Sequence, residues 1–380
     1  MRAFLIASLV TLTTHAWLMG SSVVQADPPG FQTLEIGSQA PDFQLPGVDG
    51  KQYRLNDFTK AKLLLIVFTC NHCPTAQAYE SRIMQLDADY KDKGVAVVAI
   101  SPNDNAALRL DELGYTDLGD SFEDMKLRAS ERGFKFPYLY DGETQKTALA
   151  YGVKATPHVF LFDQDRALRY VGRIDNSDVR TVTSPDVRNA IEALLAGQPV
   201  PVEKTRTFGC STKWSEKRAD AEASLKKWQQ EPVTIQDLDE KELVKLAQND
   251  SEELLLINVW ATWCVPCMAE LPEFVTIRNM YRTRKFRLVT ICMDEPGQKE
   301  AALKVLKERY VSSTNYFLTI ADRDRFADLL DKDWAGPVPY TLLIAPGGKV
   351  AYRHDGPIDP LKVKRAIVDV LGRTYANRKK

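Results

Sequence analysis

Four of the six cysteines fall into two close pairs, Cys70/Cys73 and Cys264/Cys267, and each pair stands where an apolar run hands over to a helical stretch. A disulfide between residues three apart closes a tiny loop and constrains the unfolded chain little, so such pairs point to reactivity rather than stapling. Thiol–disulfide exchange needs a thiolate, and a cysteine at a helix N-terminus gains one from unpaired backbone N–H groups and the helix dipole. By position, Cys70 and Cys264 are expected to attack a partner disulfide, and Cys73 and Cys267, one turn along, to resolve the mixed disulfide.

The surroundings of the pairs repeat. In the first pass Leu63–Phe68 reads as a buried strand, followed by Cys70-Asn71-His72-Cys73, a helix from Ala76 to Tyr90 and a strand Val95–Ile100. Helical stretches near Ser121–Arg132 and Thr144–Tyr151 follow, then Ala155-Thr156-Pro157-His158, paired strands Val159–Phe162 and Leu168–Val171, and a helix Pro185–Ala196. The second pass runs through a short helix Asp239–Gln248, a strand Leu254–Val259, Cys264-Val265-Pro266-Cys267 and a helix past Pro272. Strands Arg287–Met293 and Tyr316–Ile320, Pro337-Val338-Pro339-Tyr340, a hairpin at Leu342–Ile344 and Lys349–Arg353, and a helix Pro360–Leu371 complete it. Helices alternating with strands before a late hairpin imply an α/β sandwich with a mixed central sheet, built twice. The length of 380 residues suits two such domains.

Residues 1–26 read as a cleaved export signal: Arg2 precedes the apolar run Ala3–Val10, and Val24-Gln25-Ala26 offers a cleavage site before Asp27. Thr11, Thr13, Thr14 and His15 interrupt that run before the ~20 apolar residues a membrane span needs. A net charge of -1 with 27% charged residues gives no polyanion-binding surface, so nucleic acid is not an expected partner. The stretch 199–232, charged and helical from Ser215 to Gln230, reads as a connector.

The second dithiol carries a resemblance. Trp260-Ala261-Thr262-Trp263-Cys264-Val265-Pro266-Cys267 is similar to the thioredoxin superfamily, and with Glu270 and Pro272 it resembles the exported ResA/TlpA branch. The resemblance implies a thioredoxin-like domain over 233–376 in which Glu270 is an active-site carboxylate. One turn from Cys267, its charge would raise the thiol and could handle a proton during exchange.

Ala40-Pro41-Asp42-Phe43 and Phe68-Thr69-Cys70-Asn71-His72-Cys73-Pro74 give residues 31–198 a resemblance to the redoxin family, related to peroxiredoxins. The likeness is greatest to its Thr-Cys-Asn-His-Cys-Pro subfamily, which also carries a Gly-Cys-Ser-x-Lys-Trp segment like Gly209–Trp214. Cys73-Pro74-Thr75 echoes the peroxidatic motif, but Cys70 and Ile66 stand where that motif expects threonine and proline. His72, inside the pair, is expected to stabilise a thiolate, with an exposed polar residue as the alternative. Thr156-Pro157 and Val338-Pro339 occupy the superfamily's cis-proline position; Pro337 ranks below Pro339.

Together these features imply an exported, periplasmic or extracytoplasmic thiol–disulfide oxidoreductase made of two thioredoxin-like folds, each a three-layer α/β/α sandwich. Protein disulfides, such as those of an apocytochrome in cytochrome c biogenesis, are its expected substrates, and a membrane thiol carrier its electron source. Two other functions stand beside it: a thiol peroxidase whose second domain recycles the first, and a copper chaperone using Cys70, Cys73, His72 and His158. Metal-site spacing does not favour the latter. Neither pair is followed by the His of a haem site, and no flavin or nicotinamide fingerprint occurs, so the redox-active cysteines should need no cofactor. Cys292 is expected to pack as an apolar residue. Cys210 stays open between a resolving or relay thiol for Cys70/Cys73 and a structural half-cystine.

Overall fold

The computed structural model describes residue 28 and residues 31–377; the export segment 1–26 therefore lies outside the described residues. Both sheets belong to one compact unit that begins at Gln32. No helix among the described residues is long and apolar enough to cross a membrane.

The first sheet has the spatial order Tyr138–Tyr140, Val95–Ser101, Leu63–Phe68, His158–Phe162, Leu168–Gly172. The first three strands are parallel and the last two antiparallel. All six residues of Leu63–Phe68 are buried because helices cover both faces, which is why the strand reads as an unbroken apolar run. The helix Pro74–Tyr90 turns Ala76, Tyr79, Ile83, Leu86 and Tyr90 inward, the spacing of an amphipathic helix on a sheet. Phe122–Arg132, Lys146–Tyr151 and Asp186–Leu195 are the other helices of this half.

The second sheet runs Gln236–Leu238, Thr314–Leu318, Phe286–Cys292, Leu254–Trp260, Tyr340–Ala345, Lys349–Asp355, again parallel through its central strand and antiparallel at the hairpin edge. The helices Lys299–Glu308 and Arg323–Leu330 and the short strands Tyr138–Tyr140 and Gln236–Leu238 extend the pattern read from sequence. A three-residue strand is too short to reveal a period of two.

The two halves share a core. Between Ser101 and Phe122 the chain makes two 3-10 turns, Asn105–Ala107 and Leu110–Leu113. From them Leu108 and Leu113 pack with Leu254, Leu256, Phe274 and Ile277 of the second half. The Thr116 carbonyl accepts from Tyr281 Oη at 2.9 Å and that of Gly114 from Arg284 at 2.5 Å. Asp117, 2% exposed, is paired with both Arg365 and Arg373.

The connector helix, observed over Arg218–Gln229, joins both halves. Arg218 bonds Asp104 at one end, and Trp228 lies under the Arg282 guanidinium, 4.7 Å from ring centroid to Cζ, at the other. The segment before it is part of the first half's architecture: Cys210–Ser211 forms an antiparallel pair with Ala155–Thr156.

Candidate active sites

In the first half the strand Leu63–Phe68 delivers Cys70, and the helix Pro74–Tyr90 begins with Cys73 as its N-cap and Pro74 in the first turn. Proline is tolerated there because it lacks only an N–H that would have no helical partner. The two sulfurs face the Thr156-Pro157 peptide, which is cis. Cys70 Sγ lies 3.1 Å from Thr156 Oγ1, and Cys73 Sγ can donate to the Thr156 carbonyl at 3.4 Å. Both cysteines are buried.

Cys210 sits directly across from Thr156 in the antiparallel pair, and its N–H donates to Cys73 Sγ at 3.4 Å. Gly209 makes this approach possible: its φ of +143° is open to glycine, and a Cβ there would lie 2.0 Å from the Thr156 carbonyl oxygen. Thr212 Oγ1 donates to Val153 O, Lys213 N to Asn103 Oδ1, and Gln145 Nε2 to Lys213 O, so the segment is a fixed strap over the dithiol.

His72 is 1% exposed, which overturns its reading as an exposed polar residue. Nδ1 of His72 is 2.6 Å from Asp120 Oδ2; that oxygen also accepts from Asn103 Nδ2, while Oδ1 accepts the N–H groups of Asn71 and His72. Nε2 of His72 is buried without a hydrogen-bond partner among the described residues. Burial alone would lower the imidazole's affinity for its proton, but the Asp120 carboxylate outweighs it and holds the value above the usual histidine range. Asp120 is correspondingly held low: burial opposes its charge, and His72 and Asn103 more than compensate.

These charges separate the thiols. Burial penalises the Cys73 thiolate, but hydrogen bonds from the Cys210 and Cys70 thiols, the His72 charge and the Ala76 N–H bring it well below the ordinary range. Cys70 is pushed well above that range by burial, by its bond to Cys73 and by the Asp120 charge. Cys210 is raised by its bond to Cys73 and then by burial. The thiol that is lowered is Cys73, the second of the pair, and the one that is raised is Cys70, the expected attacking sulfur.

The copper-chaperone set does not assemble as drawn from sequence. Donor atoms of Cys70, His72 and Asp120 lie within 4.8 Å of one another, but both Asp120 oxygens are already engaged. His158 is buried, its Nδ1 accepts the Lys154 N–H at 3.3 Å, and burial pushes its pKa down to about 3.

In the second half, Leu254–Trp260 is buried throughout and Cys264 caps the helix Val265–Tyr281. Cys264 and Cys267 are joined as a disulfide, with Cys264 Sγ accepting the Cys267 N–H at 3.3 Å. The Val338-Pro339 peptide is cis. Trp263 and Val265, 64% and 79% exposed, flank Cys264 and leave an apolar surface beside it. Glu270 is buried: Oε1 accepts from Asn258 Nδ2 at 3.0 Å and Oε2 from Ile358 N at 3.1 Å. Burial raises its pKa despite those bonds. Cys292, buried at the end of its strand, has its thiol pushed up by burial and behaves as an apolar residue.

Sequence reasoning missed Asp120, Asn103 and Asn258. Asp120 lies 48 positions from His72, and Gly119-Asp120-Ser121 reads locally as nothing more than the turn before the helix Phe122–Arg132.

The chain matches two family models in tandem, the AhpC/TSA family over residues 36–171 and Redoxin over residues 227–369. It is 30% identical over 136 residues to the thiol-disulfide oxidoreductase ResA of Bacillus thuringiensis subsp. konkukian, covering 35% of this chain and 67% of that one. The chain belongs to the thiol-disulfide oxidoreductases of the thioredoxin superfamily. ResA of B. thuringiensis strain Al Hakam is 26% identical over 161 residues, covering 42% of this chain and 83% of its own. An uncharacterized conserved protein from Geobacillus kaustophilus is 41% identical, covering 48% of this chain and 93% of its own, with a TM-score of 0.43. A hypothetical protein from Sinorhizobium meliloti 1021 is 33% identical, covering 48% and 97%, with a TM-score of 0.44. As a tandem oxidoreductase of this superfamily, the chain carries two thioredoxin-like folds, and its first half matches the AhpC/TSA model and its second the Redoxin model.

Proposed function

We propose that this oxidoreductase acts beyond the cytoplasmic membrane and reduces protein disulfides by dithiol exchange, with both cysteine pairs taking part. The observation that carries the reading is the second pair: Cys264 at a helix N-terminus, bordered by exposed Trp263 and Val265, with the buried Glu270 carboxyl on the same helix. An apolar rim suits an extended polypeptide substrate, and a carboxyl with a raised pKa can hold or release the proton of Cys267 as the mixed disulfide resolves. Export rests on the composition of residues 1–26. An exported chain draws electrons from a membrane thiol carrier, and an apocytochrome thiol pair is a fitting substrate class. The cysteines carry the electrons themselves, without a bound cofactor.

Titration of each pair against glutathione, in variants retaining one pair and carrying serine at the other, tests the proposal. Reversible disulfides at both sites are expected. A pair that never cycles removes its domain from the proposal.

Peroxide reduction by the first half is a second reading, favoured by the low-pKa Cys73 in Cys73-Pro74-Thr75. Against it, Cys73 is fully buried and the Thr75 hydroxyl donates to Asp178 at 3.1 Å. Peroxide turnover that vanishes in Cys73→Ser would favour this reading.

A further inference from the structure

We propose that Cys210 is the sulfur through which the first site exchanges with its partner, and that Cys73 is a pivot whose disulfide switches between Cys70 and Cys210. The inference rests on the thiol–disulfide reading above and gives the first site a route that its Cys-x-x-Cys pair alone lacks. Cys70 is 2% exposed and Cys73 0%, and the strap that carries Cys210 lies against them. Cys210 is partly buried, the least buried of the three. The three cysteines form one cluster, with Cys210 packed against the buried Cys70 and Cys73. The Thr156–Cys210 register and the Cys210 N–H at 3.4 Å from Cys73 Sγ hold the third cysteine against the second. Gly209, with no room for a Cβ, and the anchored Thr212 and Lys213 keep it there.

The chemistry balances as three exchanges. Starting from a Cys70–Cys73 disulfide, in which Cys73 no longer carries the charge that raises the Cys210 thiol, Cys210 gives up its proton and attacks Cys73; the Cys73–Cys210 bond forms, the Cys70–Cys73 bond breaks, and Cys70 takes up a proton. A thiolate of a partner dithiol then attacks Cys210, the least buried of the three cysteines, and Cys73 leaves as thiolate. A low-pKa thiol is the better leaving group, so the charges that stabilise Cys73 direct this step. Finally the partner's second thiolate attacks its own first sulfur, closing the partner disulfide and freeing Cys210. The partner loses two electrons and the Cys70/Cys73 pair gains them. Of the three protons initially on Cys210 and the partner, one ends on Cys70 and one on Cys210; the third passes to solvent because Cys73 stays ionised. The partner class is a dithiol, as a membrane thiol carrier would present.

The test uses the full chain, oxidised with diamide, alkylated and mapped by peptide mass spectrometry, with dithiothreitol as the dithiol probe. Wild type should yield both Cys70–Cys73 and Cys73–Cys210 linkages, a result that needs no variant to fold. Cys70→Ser should keep a reversible Cys73–Cys210 disulfide, and Cys210→Ser should slow reduction of Cys70–Cys73 by about tenfold or more. Absence of any Cys73–Cys210 linkage in wild type and in folded Cys70→Ser, or reduction of Cys210→Ser at the wild-type rate, would overturn the inference. The Cys264/Cys267 disulfide in the same maps separates the outcomes: if it cycles while Cys73–Cys210 never forms, only this inference fails, and if neither site cycles, the exchange reading fails with it.

Discussion

His72 and Asp120 meet through a 2.6 Å contact in complete burial, and the His72 charge adds to the hydrogen bonds from Cys210 and Cys70 in lowering the Cys73 thiol against its burial. Asp120→Asn removes the group that keeps the imidazole protonated, leaving burial to favour its neutral form. The pH at which Cys73 ionises should then move upward. Thiolate ultraviolet absorbance against pH, measured in a Cys264→Ser/Cys267→Ser chain, checks this; an unmoved midpoint would remove His72 and Asp120 from thiolate control.

The same pair makes stability pH-dependent. Asp120 is held below its unfolded value, so its contribution is present above the unfolded carboxylate range and lost as pH falls through the lower folded value. His72 is held above its unfolded value, so its contribution is complete below the unfolded histidine range and lost as pH rises through the higher folded value. Chemical denaturation of Asp120→Asn should show a loss of about 3–5 kcal/mol between those limits, the usual result of breaking one partner of a buried pair.

At Glu270 the sign is reversed from that of Asp120. Burial raises its folded value, so the site favours the protonated carboxyl, and that contribution is lost as pH rises through the folded value. Glu270→Gln should gain stability relative to wild type as pH increases across the carboxylate range. The same substitution should flatten the pH profile of exchange at Cys264/Cys267. A parallel pair of profiles would make Glu270 a bystander.

Leu113, from the first half, is buried in the core of the second. Leu113→Ala should cost about 2–5 kcal/mol, as large-to-small changes in packed cores do. Urea unfolding followed by a probe in each half should show both transitions moving together, because Asp117, Arg365 and Arg373 tie the same loop to the second half.

Much of this was legible in the sequence. Both dithiols and the strands that deliver them follow from local runs and spacing, since an apolar strand and a helix start are properties of neighbouring residues, while the two cis-prolines are implied by the family resemblance. What the sequence concealed depends on long-range placement. Asp120 reaches His72 across 48 positions, and Cys210 reaches Cys73 across 137. The opposite shifts of the Cys70 and Cys73 thiols depend on burial, on the Cys210 strap and on the charges of His72 and Asp120, none of which a Cys-x-x-Cys spacing contains. The loop carrying Leu108 and Leu113 shows its role only when the second core closes around it.

Gly209 offers a mechanical check on the strap. Gly209→Ala places a methyl against the Thr156 carbonyl and strains a φ of +143°. The variant should release Cys210 from Thr156 and raise the alkylation rate of Cys73, read by mass spectrometry after short iodoacetamide pulses. Wild-type protection of Cys73 in the variant would show that the strap does not cover it.

The most direct measurement of the central claim is reduction of insulin disulfides by the dithiothreitol-primed full chain, compared with Cys264→Ser and with Cys73→Ser. The account predicts catalysis above the dithiothreitol background that collapses in Cys264→Ser and persists, at least in part, in Cys73→Ser. Insulin reduction no faster than background, or unaffected by Cys264→Ser, would contradict it.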